Sequence, residues 1–259
     1  MKTPVGLVTA ALAVAILLAV SFLIATGTRG QEEAFNSSAG ELEVRTIARG
    51  LVNPWALAFL PDGTMLVTER PGRMRIVSAE GQVSPPLKGV PDVWASGQGG
   101  LHDVIVDKSF AQNRTIYFCF AERTEGGGRT TTARAKLNDG NGRLDEVKII
   151  LRQQGPLSSG NHYGCRIAQA ADGNLFVALG DHFTYRDQAQ NLGNHLGKIV
   201  RIAPDGSVPP GNPFEGRADA KAIGAWSAVT GMAVAAGPVS GGWLLEHFWW
   251  GSVFFVNVP

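Results

Sequence analysis

The sequence has few cysteines, little charge and no excess of either sign. Only 2 of its 259 residues are cysteine, which excludes a disulfide-rich scaffold and a zinc site built from several thiolates. Its 23 Lys and Arg residues balance 22 Asp and Glu residues, so the chain lacks the basic character of a nucleic-acid-binding protein. Charged residues make up 17% of the chain, below the roughly 25% of an average soluble protein. That deficit lies at the two ends.

The first apolar region, residues 1–30, is predicted to be a signal peptide or a membrane anchor. No charged residue occurs from Thr3 to Thr28. The run from Val5 to Ala25 is long enough to cross a bilayer and longer than the core of most signal peptides. Either interpretation exports the rest of the chain, and both remain open. The polar residues 31–40 are predicted to form a linker.

The second apolar region, residues 221–259, is predicted to be membrane-like. No charged residue occurs from Ala222 to Leu245. The aromatic cluster His247–Trp250 is typical of a membrane interface. A buried helix of the soluble domain is the alternative. Four small residues are spaced to lie along one side of a helix, where they would let membrane helices pack closely: Gly224, Ala228, Gly231 and Ala235.

Between these ends, short apolar runs alternate with turn signals, which predicts an all-β domain. Ala56–Leu60 and Met65–Val67 flank Pro61-Asp62-Gly63, the pattern of a hairpin with an Asp-Gly turn. The same turn pattern recurs at Asp172-Gly173. No amphipathic helix of any length is evident. The other predicted strands are Leu101–Val106, Thr115–Phe120, Arg73–Val77, Thr130–Leu137, Glu146–Leu151, Arg166–Ala168, Leu175–Val177 and Lys198–Ile202.

The recurrence of the hairpins suggests the blades of a β-propeller. Hairpins begin near residues 56, 101 and 166, so each unit is about 45–65 residues long. A β-sandwich is the alternative, although it does not require so similar a hairpin to recur. Loops at one end of propeller blades converge on the central channel, where a site is expected. The polar stretches Gly97–Gly100, Ser158–Gly164 and Gly180–His182 are therefore candidates.

These stretches resemble the soluble quinoprotein aldose sugar dehydrogenases of the glucose/sorbosone dehydrogenase family. The resemblance covers about residues 43–220 and includes PDGTMLVTERPGRMRIV, GQGGLHDVIVD, SSGNHYGCRI and NHLGKIVRIAPDGSVPPGNPF. It implies a six-bladed propeller, of which this chain carries about three to four blades. It also implies pyrroloquinoline quinone (PQQ) and calcium as cofactors, an aldose sugar as substrate and an electron acceptor that the sequence does not identify.

The resemblance assigns roles to three residues. His162, in SSGNHYG, matches the catalytic base, which takes the proton of the anomeric hydroxyl while hydride passes to the quinone. Gln98, in GQGGL, matches a residue beside the cofactor, and Asp181, in LGD, matches one that orients the base or the quinone. Without the resemblance, these would be ordinary loop residues or a strand cap. No metal ligand is predicted, because His102 and Asp103 point to opposite faces of a strand.

The resemblance to the dehydrogenases ends near Ala220. Residues 221–259 instead resemble part of a drug-efflux transporter of the major facilitator superfamily, through Gly-Pro-Val-Ser-Gly-Gly at Gly237–Gly242. The dehydrogenase family would continue with an arginine that polarises the cofactor and with blades that supply the calcium ligands. We therefore expect a truncated fusion with little or no activity. We expect it in the periplasm or anchored facing it, with both apolar ends as candidates for membrane association.

Two further questions stay open at the level of the sequence. The alternative function is a non-enzymatic, membrane-tethered β-domain that binds a sugar or a protein partner. A component of a transporter is a third interpretation, which rests on the tail alone. Cys119 and Cys165 could pair in a disulfide after export, or remain as buried free thiols.

Overall fold

The computed structural model of the chain describes residues 32–38, 40–155 and 157–212. The chain divides into two compact units, Met1–Arg49 and Gly50–Pro259. The described part of the first unit is an antiparallel hairpin of β1 (Glu32–Ser37) and β2 (Gly40–Arg45). The sequence predicts a linker at residues 31–40, whereas the structure has a strand and its turn there. The reason is that the backbone of β1 pairs with β2 along its whole length.

Three antiparallel sheets make up the described part of the second unit, and in each sheet consecutive strands pair as a meander. We call these sheets blades 1, 2 and 3. Blade 1 contains β3 (Pro54–Phe59), β4 (Met65–Glu69) and β5 (Arg73–Val77); blade 2 contains β6 (Leu101–Val106), β7 (Thr115–Thr124), β8 (Gly127–Leu137) and β9 (Leu144–Arg152); blade 3 contains β10 (Gly164–Gln169), β11 (Leu175–Leu179) and β12 (Lys198–Ile202). This architecture confirms the prediction of an all-β, partial propeller.

The two predicted Asp-Gly turns form as expected. Gly63 and Gly173 have φ angles of 82° and 86°, in the left-handed region that glycine enters without steric cost. Asp62 Oδ1 accepts the backbone N–H of Thr64 at 3.0 Å, which closes the first turn locally. The second turn uses Asp172 in the same way. Local sequence alone therefore specifies both hairpins.

Short helical turns occur in two connections of the described chain. The helix α1 (Phe110–Asn113) joins β6 to β7 and buries Phe110 against the core. A 3-10 helix, Arg186–Gln190, lies between β11 and β12. The predicted strand Thr130–Leu137 begins earlier, at Gly127, because β7 and β8 continue as a long two-stranded ribbon.

The apolar core lies between the faces of neighbouring blades. One cluster packs Leu66 and Met74 of blade 1 against Phe118 of blade 2. A second cluster packs Tyr117 of blade 2 against Val177 of blade 3. Phe118 and Tyr117 are adjacent on β7 and point to opposite faces, so the middle blade is covered on both sides. Burial of each blade therefore depends on its neighbour.

A disulfide joins blades 2 and 3. It links Cys119 of β7 to Cys165 of β10, whose Cα atoms are 6.1 Å apart. Of the two alternatives that the sequence leaves open for these cysteines, the structure has the disulfide. The cross-link lies inside the second core cluster, where both residues are fully buried.

One face of blade 1 is partly exposed. Ala56 and Ala58 face blade 2, so the alternate residues Leu57 and Phe59 point away from it and are 47% and 68% exposed. Within the described residues, no helix is long and apolar enough to span a bilayer. The predicted signal peptide or anchor and the predicted membrane-like tail lie outside the described residues.

Candidate functional site

The three predicted site residues lie together because their loops emerge at one end of blades 2 and 3. Gln98 precedes β6, His162 precedes β10 and Asp181 follows β11. Antiparallel pairing sets the start of β10 beside the end of β11, with Gly164 opposite Leu179. The strand order therefore brings residues that are distant in sequence to one edge.

His162 makes the contacts that join this group. Its Nδ1 lies 3.0 Å from Asp181 Oδ1, and its backbone N–H donates to Gln98 Oε1 at 2.8 Å. The backbone N–H of Gln98 donates in turn to the carbonyl oxygen of Gly160 at 2.8 Å. Because a carboxylate accepts hydrogen bonds, Nδ1 of the neutral imidazole carries the proton and Nε2 the lone pair. This arrangement leaves Nε2 as the atom that can accept a proton.

Asp181 is held as a carboxylate. Burial acts to raise its pKa, but the backbone N–H of Phe183, at 2.8 Å, and the imidazole of His162 together bring the pKa below its usual value. The Phe183 ring also packs against the imidazole in an edge-to-face contact, with centroids 5.1 Å apart. His162 is therefore oriented from two sides, while its side chain stays 47% exposed and within reach of a ligand.

The loops of the site adopt backbone conformations that most residues avoid. His162, His182 and Phe183 have φ angles of 47°, 54° and 60°, in the left-handed region. Gly180 allows the close approach of two of these loops, because a Cβ at this position would overlap the carbonyl oxygen of His162. Such strained positions cluster at functional sites, where the surrounding packing holds them.

A cleft of about 540 Å³ opens beside His162 and Asp181. The ends of the blade 3 strands and the 3-10 helix line it, and Ala189, Gln190 and Lys198 are among the lining residues. This volume is within the range of small-molecule sites in proteins. The cleft therefore offers space for a ligand directly beside the imidazole.

Lys198, the first residue of β12, is a cleft residue that the sequence analysis missed. It is 3% exposed, and burial lowers the pKa of its ammonium group to about 8. Its position in the sequence, within LGKIVRI, gives no sign that it lies beside the site, because a lysine on a short strand is usually exposed. Only the folded arrangement of the preceding loop around this strand buries it.

A row of ring contacts, which runs through the buried side chains of His102, Tyr163 and His182, lies beside the site and was not predicted from the sequence. His102 packs between Trp55 and Tyr163, with ring centroids 5.1 Å and 5.8 Å away, and Tyr163 packs on His182 at 4.9 Å. Burial lowers the pKa of both histidines, which favours their neutral forms. Tyr163 and His182 each follow a predicted site residue in the sequence, which is the one local signal that could have indicated them.

The residues considered for metal binding do not converge. Among the described residues, no group of three or more His, Cys, Asp or Glu side chains is placed to hold a metal ion. His102 Nε2 lies 3.1 Å from the carbonyl oxygen of Gln98, whereas Asp103 pairs with Arg166 at 3.0 Å and accepts the N–H of Ile167 at 2.7 Å. His102 and Asp103 therefore make separate structural contacts, each with a different loop or strand.

These features define a class of protein: a β-propeller whose blade-end loops present a carboxylate-supported histidine beside a ligand-sized cleft. Within that class, the chain belongs to the Glucose / Sorbosone dehydrogenase family, whose model matches residues 51–231. This is a family of oxidoreductases that act on sugars. The match extends past residue 220, where the sequence analysis ends the resemblance.

One curated relative and one solved structure are aldose sugar dehydrogenases of Escherichia coli. The chain is 40% identical over 210 residues to the aldose sugar dehydrogenase YliI of Escherichia coli K12, a match that covers 80% of the chain and 56% of the relative. The crystal structure of the soluble aldose sugar dehydrogenase from Escherichia coli, in its apo form, superimposes with a TM-score of 0.66 at 40% identity, over 69% of this chain and 52% of that one. The chain thus spans about half the length of these relatives.

A third similarity concerns the cofactor. The PQQ-bound form of an aldose sugar dehydrogenase from Streptomyces coelicolor matches with a TM-score of 0.58 at 29% identity, over 73% of this chain and 53% of that one.

A separate, short match is to a protein of another kind. The methyl viologen resistance protein SmvA of Salmonella typhimurium LT2 is 60% identical over 38 residues, which are 15% of this chain and 8% of that protein.

Proposed function

We propose that this chain carries the base-bearing half of a PQQ-dependent aldose dehydrogenase. The observation that supports this proposal is the contact between His162 Nδ1 and Asp181 Oδ1 at the end of blade 3, beside the cleft. The substrate class is an aldose sugar in its ring form, and the reaction is oxidation of the anomeric carbon to a lactone.

His162 accepts the proton of the anomeric hydroxyl at Nε2. Asp181 holds the Nδ1 proton in place and stabilises the imidazolium that forms. The amide of Gln98 accepts the backbone N–H of His162 through its oxygen, so its nitrogen is the end that can donate to a ligand. The hydroxyl loses its proton to His162, and the hydrogen on the anomeric carbon leaves with the two electrons of its bond as hydride. Together these two losses convert the C–OH group into the C=O group of the lactone.

The residues present fit a quinone cofactor. The cleft has the volume for a small planar ligand, and its lining includes the imidazole of His162 and the carboxylate of Asp181. When bound, the quinone supplies a two-electron acceptor for the hydride. Gln98 and Asp181, the residues that the resemblance assigns to the cofactor, would hold it. Calcium is part of the proposal by resemblance to the family. The periplasmic location and the membrane association rest on the two apolar ends of the sequence, and the proposal names no electron acceptor.

Quinone binding is the first experiment, because we expect little turnover from a truncated chain. The full-length protein is titrated with PQQ, with and without calcium, and the absorbance change of the quinone is followed. Wild type should show saturable binding. Gln98→Ala should weaken it about tenfold, the effect of one lost hydrogen bond to a ligand. Lys136→Ala, an exposed lysine paired with Glu146 on the outer strands of blade 2, is the matched control.

Sugar oxidation is measured in the same samples by reduction of an artificial electron acceptor with glucose. Any rate that wild type shows should fall by about 10²–10⁴ in His162→Ala, the range for loss of a general base. A wild-type chain that produces no saturable change in the quinone spectrum would contradict the proposal. It would favour the non-enzymatic binding domain instead.

A further inference from the structure

Lys198 is a buried cation whose described bonding partners are all neutral. It is 3% exposed, and no carboxylate among the described residues lies within ion-pair distance of it. Its Nζ instead donates to the carbonyl oxygen of Leu196 at 2.8 Å, the carbonyl oxygen of Gln188 at 3.0 Å and Asn194 Oδ1 at 3.3 Å. An ammonium group has three protons, so these three acceptors satisfy it. Burial of a lysine in this way is unusual and calls for a reason.

All three acceptors belong to one segment, residues 186–196, which we call the cleft wall. Ala189 and Gln190 of this segment line the same cleft as His162 and Asp181. Its regular structure is one 3-10 helix, Arg186–Gln190, which has no side-chain cap at its N-terminus. Short helices of this kind have little stability of their own. The ammonium group therefore ties the two ends of the cleft wall to the first residue of β12.

The cleft wall is packed against the residue that orients His162. Lys198 pairs with Leu179, two residues before Asp181, in the register of β11 and β12. Gly197 donates its N–H to the carbonyl oxygen of Gly180 at 3.0 Å. A Cβ at Gly197 would come within 2.9 Å of Ala189 Cβ and 3.4 Å of Asp181 Cβ, so wall, strand and carboxylate meet there without spare room. A displacement of the wall would reach Asp181 directly.

We propose that Lys198 is a positioning residue, which holds the cleft wall in place and, through it, the Asp181–His162 pair that the proposed function requires. The ammonium group does this with three charge-assisted hydrogen bonds in a buried setting, where such bonds are strong. It acts on the wall and on Asp181 rather than on the ligand, because its three donors are already used.

The test compares Lys198→Met, which keeps the length and apolar stem of the side chain but removes the donors, with Lys136→Met as control. Cleavage by trypsin after Arg186 under native conditions reports opening of the wall. The ¹⁵N signals of the His162 imidazole report its tautomer and its contact with Asp181. Lys198→Met should be cleaved at least about tenfold faster, the effect of losing one charge-assisted hydrogen bond or more, with shifted imidazole signals. Lys136→Met should match wild type in both readouts.

The proposal is overturned if Lys198→Met is folded, as judged by circular dichroism, and leaves both the cleavage rate and the imidazole signals unchanged. If Lys198→Met does not fold, Asn194→Ala replaces it. That variant keeps the lysine and removes one of its acceptors, but it also removes the bonds of Asn194 to the Leu196 N–H and to Gln188 Oε1, so the imidazole signals decide. Shifted imidazole signals in folded Asn194→Ala support the proposal, and unchanged signals overturn it. Neither readout needs PQQ, so absence of quinone binding in wild type would refute the proposed function alone.

Discussion

Loss of the Cys119–Cys165 disulfide should destabilise the protein substantially, because this bond is a covalent link between two blades whose other contacts are apolar packing and hydrogen bonds. Cys119 lies in the middle of β7, whereas Cys165 lies at the start of β10, three residues after His162. The residue Cys165 has a φ angle of 85°, so the cross-link also holds a strained backbone position. The perturbation therefore affects both the fold and the loop of the site.

The magnitude follows from the length of chain that the bond closes. The two cysteines are 46 residues apart in sequence. The loop-entropy relation gives about 4 kcal/mol at 25 °C for a loop of this size, since the cross-link removes conformations from the unfolded chain. This difference corresponds to about a thousandfold change in the folding equilibrium.

Urea unfolding measures this difference. Oxidised wild type is compared with wild type that is unfolded and refolded in the presence of a thiol reductant, because both sulfur atoms are buried in the native state. The double variant Cys119→Ala/Cys165→Ala serves as control. The chain has only these two cysteines, so the reductant should leave the control unchanged.

Two results would refute the reasoning. Alkylation of the unfolded, unreduced protein at both cysteines would show that the bond is not formed. A free energy of unfolding that changes by less than about 1 kcal/mol on reduction would show that the loop is already constrained in the unfolded chain.

Two further substitutions test other parts of the structure. Glu69→Ala should lower the free energy of unfolding in urea by about 3 kcal/mol, because Arg73 and Arg75 would lose the fully buried carboxylate that pairs with both at 2.7 Å and 3.0 Å. Although burial acts to raise the pKa of Glu69, its hydrogen bonds bring it below the usual value. The difference in the free energy of unfolding between wild type and Glu69→Ala should therefore be largest above about pH 4.5 and should decrease as the pH falls and Glu69 is protonated. A difference that does not change with pH would contradict this reasoning. Gly180→Ala should displace the histidine loop and weaken PQQ binding at least about tenfold in the absorbance titration, whereas Gly140→Ala, in an outer turn of blade 2, should bind as wild type does.

The strands and turns could be predicted because their signals are local. Asp62-Gly63 and Asp172-Gly173 form their turns from their own side chains and from the conformational freedom of glycine. The alternation of apolar residues marked β5 and β12 with the bounds that the structure has. The strand β1 was not predicted, because its pairing with β2 depends on backbone hydrogen bonds and its polar sequence lacks the apolar alternation that indicates a strand.

The site could be predicted in part. Motifs before β6, before β10 and after β11 indicated Gln98, His162 and Asp181, and the roles of these residues stay predictions until quinone binding and turnover are measured. That the three lie together follows from the antiparallel pairing of strands within a blade and from the packing of one blade on the next. Lys198 could not be predicted in this way, because its proposed role depends on the three hydrogen bonds that its ammonium group donates to the cleft wall.

The all-β class and the hairpin turns follow from short stretches of sequence, and the family follows from motifs that occur in a specific order along the chain. The disulfide state of the two cysteines, the burial of Lys198 and the contact of His162 Nδ1 with a carboxylate arise only in the folded chain. The cause is the distance along the chain between the residues that take part. Blades 2 and 3 meet through side chains tens of residues apart, and the burial, the pairing and the hydrogen-bond geometry arise only when both faces are folded and in contact.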